Sequence, residues 1–252
     1  MTLGAQLYTI REFTQTTEAL AETLAKVAEI GYTSVQVSGT CAFDADWLNE
    51  QLKINGLVCP VTHTSPDKIA DDTDTAANEH IKFGCGICGI GAAPGIWDQS
   101  FVYEDFKNRF LPAANKFKTY GLRLGYHNHH MEFNKTDGKN FLERMAEDFP
   151  SDTLTFILDT YWIQYSGGDP AQWIRKFSGR VHCVHFKDMA IVGNEQRMAC
   201  VGGGNINFNS AISACEDAGT EFILVEQDDC YGENPFGCLA ESYNYLKSFG
   251  LK

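Results

Sequence analysis

The stretch that decides the fold reads Leu122-Arg123-Leu124-Gly125-Tyr126-His127-Asn128-His129-His130-Met131-Glu132-Phe133. It begins as a short apolar run, which is typical of a buried strand, and it ends in three histidines and a glutamate. Polar side chains at this density are costly to bury without partners. Three later apolar runs end in the same way, each on a carboxylate or an imidazole. The repeated pattern favours a site built at strand ends over a solvated loop that is rich in histidine by chance.

Apolar strand-like segments alternate with amphipathic helix-like segments along the whole chain, at a spacing of about thirty residues. The predicted strands are residues 3–8, 34–38, 57–63, 86–90, the run that opens at 122, 154–159, 181–187 and 222–226. The predicted helices are residues 16–30, 44–55, 66–83, 103–120, 141–149, 169–177, 207–218 and 235–249. Strands this uniformly apolar favour parallel pairing with both faces buried. Eight cycles predict a closed (β/α)₈ TIM barrel as a single domain over residues 1–252, with residues 190–205 as a long loop.

Composition excludes several classes of protein. The hydrophobic content of 44% and charged content of 21% are ordinary for a globular chain. The formal net charge of −13 opposes binding to nucleic acid, because affinity for phosphate backbones comes mainly from clustered Lys and Arg. No apolar run reaches membrane-spanning length, and no signal peptide is evident at the start. Nine cysteines are too few for a disulfide scaffold, so we expect reduced thiols and a cytoplasmic location. The lone pair Cys85 and Cys88 is interpreted as part of a buried strand.

In a barrel the active site lies at the carboxyl ends of the strands. The fifth to eighth strands end on, or shortly before, Glu132, Asp159, His185 and Glu226. Three carboxylates packed together would repel one another, and a cation removes that conflict. Carboxylate oxygens with one imidazole suit a divalent ion such as Mn²⁺, Mg²⁺, Co²⁺ or Zn²⁺. The four residues are therefore predicted to bind a divalent metal.

Each residue also has a structural alternative when it is taken alone. Asp159 could cap the following segment, His185 could be a satisfied core histidine, and Glu226 could belong to a solvated acidic turn. Their joint occurrence at successive strand ends favours the metal site.

Five short motifs carry a resemblance to a known family. They are Gln6-Leu7-Tyr8-Thr9, Tyr126-His127-Asn128-His129, Leu158-Asp159-Thr160-Tyr161-Trp162, His185-Phe186-Lys187-Asp188 and Val225-Glu226-Gln227-Asp228. With them the chain resembles the sugar phosphate isomerase/epimerase superfamily with the xylose-isomerase-like barrel, which includes inosose dehydratases, hydroxypyruvate isomerases and ketose 3-epimerases. The resemblance covers the whole chain and implies a metal-dependent enzyme that acts on a small carbohydrate.

By this resemblance Asp159, His185 and Glu226 correspond to family metal ligands. The epimerases carry a glutamate at the fifth-strand position where this sequence has His127. The first ligand is therefore either Glu132 or His127, and Glu132 is preferred because a hard cation prefers oxygen. Relatives also carry acidic residues where Gly203 and Asn207 stand in the glycine-rich segment, which puts substrate contacts from that segment in doubt.

The chemistry expected of such a site is proton removal from carbon next to a carbonyl, through an enediolate that the metal stabilises. Glu132 and Glu226 are predicted as the acid/base pair, with His127 and His129 binding substrate hydroxyls or relaying protons. Substrate contacts are also predicted for a lysine, a glutamine, a histidine and a tryptophan, namely Lys187, Gln6, His63 and Trp162.

Three other functions stay open. The same site could catalyse β-elimination, as a dehydratase or lyase on an inosose or a 3-oxo-glycoside. A nuclease on the same barrel would need more metal ligands than these strand ends offer. A non-catalytic sugar-binding barrel is the alternative from another class, motivated by Gly203 and Asn207. Related barrels often form dimers or tetramers, so homo-oligomer formation is a further expectation.

Overall fold

The computed structural model describes residues 1–252. Eight short parallel strands form one sheet that curls into a barrel. These strands are β1 (Thr2–Gln6), β2 (Ser34–Gln36), β3 (Val61–His63), β4 (Ile87–Ile90), β5 (Arg123–His127), β6 (Leu154–Asp159), β7 (Cys183–Phe186) and β8 (Phe222–Val225). The predicted (β/α)₈ fold is confirmed.

The order of the strands shows how the barrel closes. Paired neighbours run β2-β1-β8-β7-β6-β5-β4-β3, and every pairing is parallel. The two ends of this series, β2 and β3, are joined by single parallel bridges from Ser34 to Val58 and from Val37 to Thr62. Because the strands are parallel, all eight carboxyl ends lie at one mouth of the barrel.

Helices return the chain between strands and cover the outside of the sheet. They are α1 (Thr17–Ile30), α2 (Ala45–Ile54), α3 (Pro66–Asp71), α4 (Thr73–Lys82), α5 (Tyr103–Thr119), α6 (Phe141–Asp148), α7 (Thr160–Tyr165), α8 (Pro170–Lys176), α9 (Phe208–Ala218) and α10 (Pro235–Lys247). Local sequence sets their ends. The Thr16 hydroxyl accepts a hydrogen bond from the Ala19 amide at the start of α1, and Gly31 ends that helix in a left-handed conformation with φ 118°.

The core has two parts. Sixty buried residues fill the layer between the sheet and the helices. A separate group of five, namely Val61, Ile87, Ile157, Cys183 and Leu224, fills the barrel interior. These five side chains are packed closely and leave little free space inside the barrel. Glycines on the inner face therefore have close neighbours.

Several segments differ from the prediction. The strand predicted over residues 3–8 ends at Gln6, and Leu7–Phe13 forms a 3₁₀ helix. Lys135–Thr136 and Lys139–Asn140 pair as a short antiparallel ribbon. Residues 66–83 form two helices, because the chain leaves the helical conformation at Asp72. The short helix α7 directly after β6 is absent from the predicted set. Residues 190–205 are not simply a loop, since Asp188–Val192 and Glu195–Ala199 pair as an antiparallel ribbon. No helix combines the length and the apolar character needed to cross a bilayer.

Gly89 on β4 provides a test of interior packing. A Cβ there would collide with the backbone oxygen of Thr62 and stand 3.0 Å from Cδ1 of Ile157. We expect Gly89→Ala to lower the free energy of unfolding by about 1–3 kcal/mol, as overpacking of a core does. Urea denaturation measures this. The matched control is Gly86→Ala, whose Cβ would meet no atom within 4 Å; equal stability of the two variants would contradict the packing account.

Candidate metal centre and active site

Four buried side chains converge at the mouth of the barrel. They are His127 at the end of β5, Asp159 at the end of β6, His185 within β7 and Glu226 directly after β8. Each offers one potential ligand atom, and these atoms all lie within 4.8 Å of one another. Asp159 and His185 are direct register partners across β6 and β7. Parallel pairing thus brings together groups that lie far apart in sequence.

Asp159 serves the backbone and the site at the same time. One carboxylate oxygen, Oδ1, accepts a hydrogen bond of 3.0 Å from the Trp162 amide and caps α7. The amide of Asp159 donates to Oδ1 of Asn128 at 3.1 Å, which fixes the end of β6 against the segment after β5. The second oxygen, Oδ2, is left to face the cluster. The capping role and the site role of Asp159 are therefore compatible.

The two imidazoles are oriented by hydrogen bonds on their outer sides. Nδ1 of His127 lies 3.0 Å from the carbonyl oxygen of Gly91, which can only accept, so this nitrogen carries a proton. A neutral His127 then turns the lone pair of Nε2 toward Oδ2 of Asp159, 3.3 Å away. Two lone pairs at this distance repel unless a proton or a metal ion lies near both. Such outer partners are how proteins orient metal-binding histidines.

His185 is held in a comparable way. Its Nε2 lies 2.5 Å from Oε1 of Gln36 on β2, on the far side of the barrel. Its Nδ1 lies 2.9 Å from Oε2 of Glu226 and 3.9 Å from Oδ2 of Asp159. Gln36 is absent from the predicted set. It is a polar residue at the end of a buried strand, which is the same pattern that predicted Asp159 and Glu226.

Lys187 brings a positive charge into the same space. Its ammonium nitrogen lies 2.9 Å from Glu226 Oε2, 3.1 Å from Asp159 Oδ2 and 2.9 Å from Asp228 Oδ1. The side chain is only 1% exposed. Buried charges are stable only when they are paired. Lys187 therefore stabilises the carboxylates as well as lining the mouth. Asp228 is a further member of this charged group and is absent from the predicted set.

The charges alter the pKa values of the group. Burial opposes ionisation of Glu226, but Lys187 and His185 hold its pKa well below the usual value. Burial alone would lower the pKa of His127, yet its hydrogen bond to Asp159 and the charge of Asp159 raise it. Burial lowers the pKa of both His63 and His129 well below the usual range. Those two imidazoles are therefore neutral near pH 7.

The donor set fits a divalent cation. Two carboxylates and two imidazoles are ligands that Mn²⁺, Co²⁺ and Zn²⁺ accept. Together with Asp228, the carboxylates outnumber the single Lys187 ammonium and leave two formal negative charges without a partner. Burial and the nearby Glu226 raise the pKa of Asp228 to about 6, which still leaves it mostly ionised near pH 7. A divalent ion would balance this charge.

Glu132 does not join the cluster. It lies in a short 3₁₀ turn, Met131–Phe133, and its side chain is buried. One oxygen accepts a hydrogen bond of 2.8 Å from the Tyr126 hydroxyl, and the other accepts one of 2.9 Å from the His129 amide. Both oxygens are thus occupied away from the mouth. His127, the alternative first ligand, stands in the cluster instead, and the carboxylate of Glu132 holds the His129 loop in place.

A cavity of about 510 Å³ opens above the cluster. The predicted substrate contacts Gln6, His63, Trp162 and Lys187 all line it, together with His127, His129 and Glu226. Four buried polar atoms in this wall have no hydrogen-bond partner within the protein, namely Gln6 Nε2, His63 Nε2, His129 Nδ1 and Trp162 Nε1. Unpaired buried polar atoms are costly. Water or a polar ligand in the cavity can supply their partners. Arg11 and Ser38 also line it and are absent from the predicted set.

The glycine-rich segment is tied down by Asp188. Its carboxylate accepts hydrogen bonds from the amides of Gly202 and Gly204, both at 2.9 Å, and of Ile206 at 3.1 Å. Asn207 caps α9 by accepting from the Ser210 amide. Neither Gly203 nor Asn207 lines the cavity. This segment acts as a support behind the site.

Comparison with known proteins agrees with this architecture. Residues 24–249 match the family described as Xylose isomerase-like TIM barrel. The chain belongs to this family. Among its relatives, an inosose dehydratase from Salmonella typhimurium is 27% identical over 248 aligned residues, which cover 81% of this chain and 80% of that protein. An inosose dehydratase from Geobacillus thermodenitrificans is 26% identical and covers 89% and 87%.

Solved structures of the family share the fold. A sugar phosphate isomerase/epimerase from Parabacteroides distasonis superposes with a TM-score of 0.79 at 21% identity, over 98% of this chain and 93% of that one. An L-ribulose 3-epimerase superposes with a TM-score of 0.77 at 15% identity, over 98% and 94%. The named relatives are enzymes, which supports the prediction that this chain is one.

Removal of Lys187 tests the charge balance of the site. We expect Lys187→Met to lower the free energy of unfolding by about 3–5 kcal/mol in the presence of a chelator, because it leaves buried carboxylates without a partner. Urea denaturation measures this. The control is Lys82→Met, which removes an exposed pair with Asp46 and is expected to change stability by about 1 kcal/mol or less. A loss for Lys187→Met as small as that of the control would refute the structural role of the ammonium.

Proposed function

We propose that this protein is a divalent-metal-dependent isomerase of a sugar or keto-sugar, which removes a proton from carbon next to a carbonyl and passes through an enediolate. The observation that supports the proposal most is the cluster of His127, Asp159, His185 and Glu226, whose ligand atoms lie within 4.8 Å of one another. His127 and Glu226 also line a cavity whose wall contains unpaired polar atoms. A hydroxyl-rich ligand supplies partners for those atoms. Mn²⁺, Mg²⁺, Co²⁺ and Zn²⁺ are the candidate ions.

The four cluster residues would hold the cation. When bound, it would polarise the substrate carbonyl and stabilise the negative charge that develops on oxygen, a contribution worth several kcal/mol. The protein itself contributes orientation. Gln6 and Trp162 line the cavity and each carries an N–H donor without a partner in the protein, and His63 and His129 offer a neutral imidazole each. These groups would fix the hydroxyls so that one C–H bond faces the base.

Glu226 is the proposed base. It lines the cavity, and the neighbouring charges keep it ionised. The predicted pair of Glu132 and Glu226 is not part of this proposal, because both oxygens of Glu132 are engaged elsewhere. One carboxylate is sufficient for the carbon proton in isomerisation, since it can return that proton to the adjacent carbon on the same face, while the hydroxyl proton passes to the former carbonyl oxygen. Epimerisation needs a second group on the opposite face, and His129 would have to fill that role.

Dehydration is the second candidate. The relatives described above are inosose dehydratases, and the Lys187 ammonium lines the cavity beside Glu226. In β-elimination, Glu226 would take the proton next to the carbonyl, the C–H electrons would form the C=C bond, and the hydroxyl on the next carbon would leave. Lys187 would donate a proton to the departing oxygen, which leaves as water, and the proton taken up by Glu226 would then pass to Lys187, 2.9 Å away. Water and an unsaturated ketone are the products.

We also propose a cytoplasmic location, since all nine cysteines are free thiols. The absence of a nucleic-acid partner and the assembly into homo-oligomers remain predictions. A non-catalytic sugar-binding barrel is less well supported, because Gly203 and Asn207, which motivated it, lie away from the cavity.

Metal removal tests the first part of the proposal. We expect the protein treated with a chelator to lose exchange of substrate C–H for deuterium in D₂O, and to regain it when Mn²⁺ is added. Proton NMR of ketoses and inososes measures the exchange, and metal analysis of the purified protein identifies the ion. Exchange that persists at full rate without metal would exclude a role for the cation.

Glu226→Gln tests the base. We expect a fall in the exchange rate of about 10²-fold to 10⁴-fold, the range typical of general-base removal. Metal content and thermal stability are measured alongside, because Glu226 is also a proposed ligand. The control is Glu216→Gln on the exposed side of α9, which should leave the rate unchanged. A rate near that of the wild type would exclude Glu226 as the base.

Product analysis separates the two candidates. We expect isomerisation to give a second ketose or aldose of unchanged mass, and dehydration to give an unsaturated ketone that is lighter by one water. Mass spectrometry distinguishes the two. An epimer formed with deuterium at a single carbon would instead require a second base, and His129→Gln would then be the decisive variant.

A further inference from the structure

Arg11 is an unpaired cation at the mouth of the barrel. It lies in the 3₁₀ segment that directly follows β1, and it lines the cavity above the metal cluster. Most arginines of the chain pair with a carboxylate, namely Arg109, Arg144, Arg175 and Arg197. Arg11 has no carboxylate within 4.0 Å. The other two such residues, Arg123 and Arg180, stand at or before strand starts, at the opposite end of the barrel.

Neutral groups hold the Arg11 guanidinium in place. Its Nη1 donates hydrogen bonds to the carbonyl oxygens of Tyr8 at 2.8 Å and of Asp228 at 3.0 Å. The Tyr8 ring stacks on it, with 4.3 Å from Cζ of Arg11 to the ring centroid. Nε and Nη2 make no hydrogen bond within the protein. These two nitrogens form an edge of the guanidinium that can pair with both oxygens of a carboxylate. The group is therefore fixed while this edge stays free.

The nearest acidic residues do not neutralise Arg11. Glu12, Asp229 and Glu233 line a neighbouring cavity of about 420 Å³ together with it. All three are exposed, and none comes within 4.0 Å of the guanidinium. Exposed charges that are not in contact interact weakly, because water and salt screen them. Asp228 contacts Arg11 through its carbonyl oxygen, while its carboxylate pairs with Lys187. The charge of Arg11 is therefore available to a ligand in the mouth cavity.

The charges at the mouth leave a place for one negative group on the ligand. Asp159, Glu226 and Asp228 bring three negative charges to the single Lys187 ammonium. A divalent cation on the cluster would make this group neutral. Arg11 then adds one positive charge that no carboxylate of the protein balances. A ligand with one carboxylate completes the balance, whereas a phosphate dianion exceeds it.

We propose that Arg11 binds a carboxylate of the substrate, so that the substrate is a keto-sugar acid whose carboxylate lies at the far end of the carbon chain from the reacting carbonyl. This inference rests on the proposed function, because the carbonyl is placed at the metal cluster. Asp228 links the two positions, since its carbonyl oxygen accepts from Arg11 and its carboxylate contacts Lys187 beside the cluster. One residue thus joins the two positive groups, a separation that a six-carbon chain can span.

Three matched probes test the assignment without requiring turnover. D-fructose, D-fructuronate and D-fructose 6-phosphate differ only at carbon 6, which is a hydroxymethyl group, a carboxylate or a phosphate ester. Isothermal titration calorimetry on the Mn²⁺-loaded protein measures their affinities. We expect D-fructuronate to bind about tenfold to a hundredfold more tightly than D-fructose, because hydrogen bonds to a charged group act only on its carboxylate.

Three results would overturn the proposal. They are equal affinity for D-fructuronate and D-fructose, no measurable binding of D-fructuronate, and tighter binding of D-fructose 6-phosphate than of D-fructuronate. The last result would identify the anionic group as a phosphate.

Arg11→Gln removes the charge and keeps a polar side chain. We expect this variant to bind D-fructose as the wild type does and to lose the preference for D-fructuronate. The control is Arg109→Gln, which removes a guanidinium that pairs with Asp67 and Asp71 and does not line the cavity. The control should keep the preference. A preference that survives in Arg11→Gln would place the carboxylate elsewhere, such as on the cation itself.

A purely structural role of Arg11 gives a different result. Its Nη1 joins the segment after β1 to the segment after β8. Loss of that bridge alone would weaken the binding of D-fructose and of D-fructuronate to the same extent and would lower the melting temperature. Equal losses for the two probes in Arg11→Gln would therefore refute the role of Arg11 in recognition.

Failure of this assignment and failure of the proposed function give different results. If no ketose shows metal-dependent deuterium exchange, the proposed function fails whatever the preference between the probes. If exchange occurs but D-fructuronate and D-fructose bind equally, only the assignment of Arg11 fails.

Discussion

The site depends on one constraint: several carboxylates are buried together and need positive charge. Asp159, Glu226 and Asp228 all lie within 3.1 Å of the Lys187 ammonium; the first two side chains are 0% and 4% exposed, and that of Asp228 is 26% exposed. Desolvation of each ion costs several kcal/mol, and only close pairing offsets it. One lysine supplies one charge. The remaining negative charge makes the cluster suited to a cation, whereas, against the effect of burial, the positive charge of Lys187 lowers the pKa of Glu226 and favours its ionised form.

The scaffold around this charge is arranged to prevent the side chains from turning away. Gly91 and Gln36 hold the outer nitrogens of the two imidazoles, and the amide of Trp162 holds the outer oxygen of Asp159. Each of these partners belongs to a different strand end or helix start. The side chains of the site are therefore held in place only when the barrel is closed. A shift of one of these strands by one residue would turn its ligand to the other face of the sheet.

This dependence explains how much could be predicted from the sequence. The eight strands were predictable because buried parallel strands are apolar throughout and are separated by glycine-terminated helices. Asp159, His185 and Glu226 were predictable because carboxyl ends of parallel strands meet at one mouth. The position of the Glu132 side chain was not predictable. Its carboxylate accepts a hydrogen bond from the Tyr126 hydroxyl, and sequence spacing does not reveal that contact. The ribbon after β7 was missed because its alternation is interrupted by glycine and polar residues, and Gln36 because a single polar residue ends a strand of only three residues.

The imidazole at the end of β5 has a consequence for the chemistry. By the resemblance to the epimerases, which carry a glutamate at this position, His127 leaves the proposed cation site with one negative charge fewer. A cation held by two carboxylates keeps more of its charge than one held by three, and it polarises a carbonyl more strongly. The same replacement removes a carboxylate base from one face of the substrate. Stronger activation of the carbonyl with a single carboxylate base favours reactions in which the proton leaves and returns on one face, or leaves together with a hydroxyl. It disfavours inversion at a single carbon, which requires a base on each side.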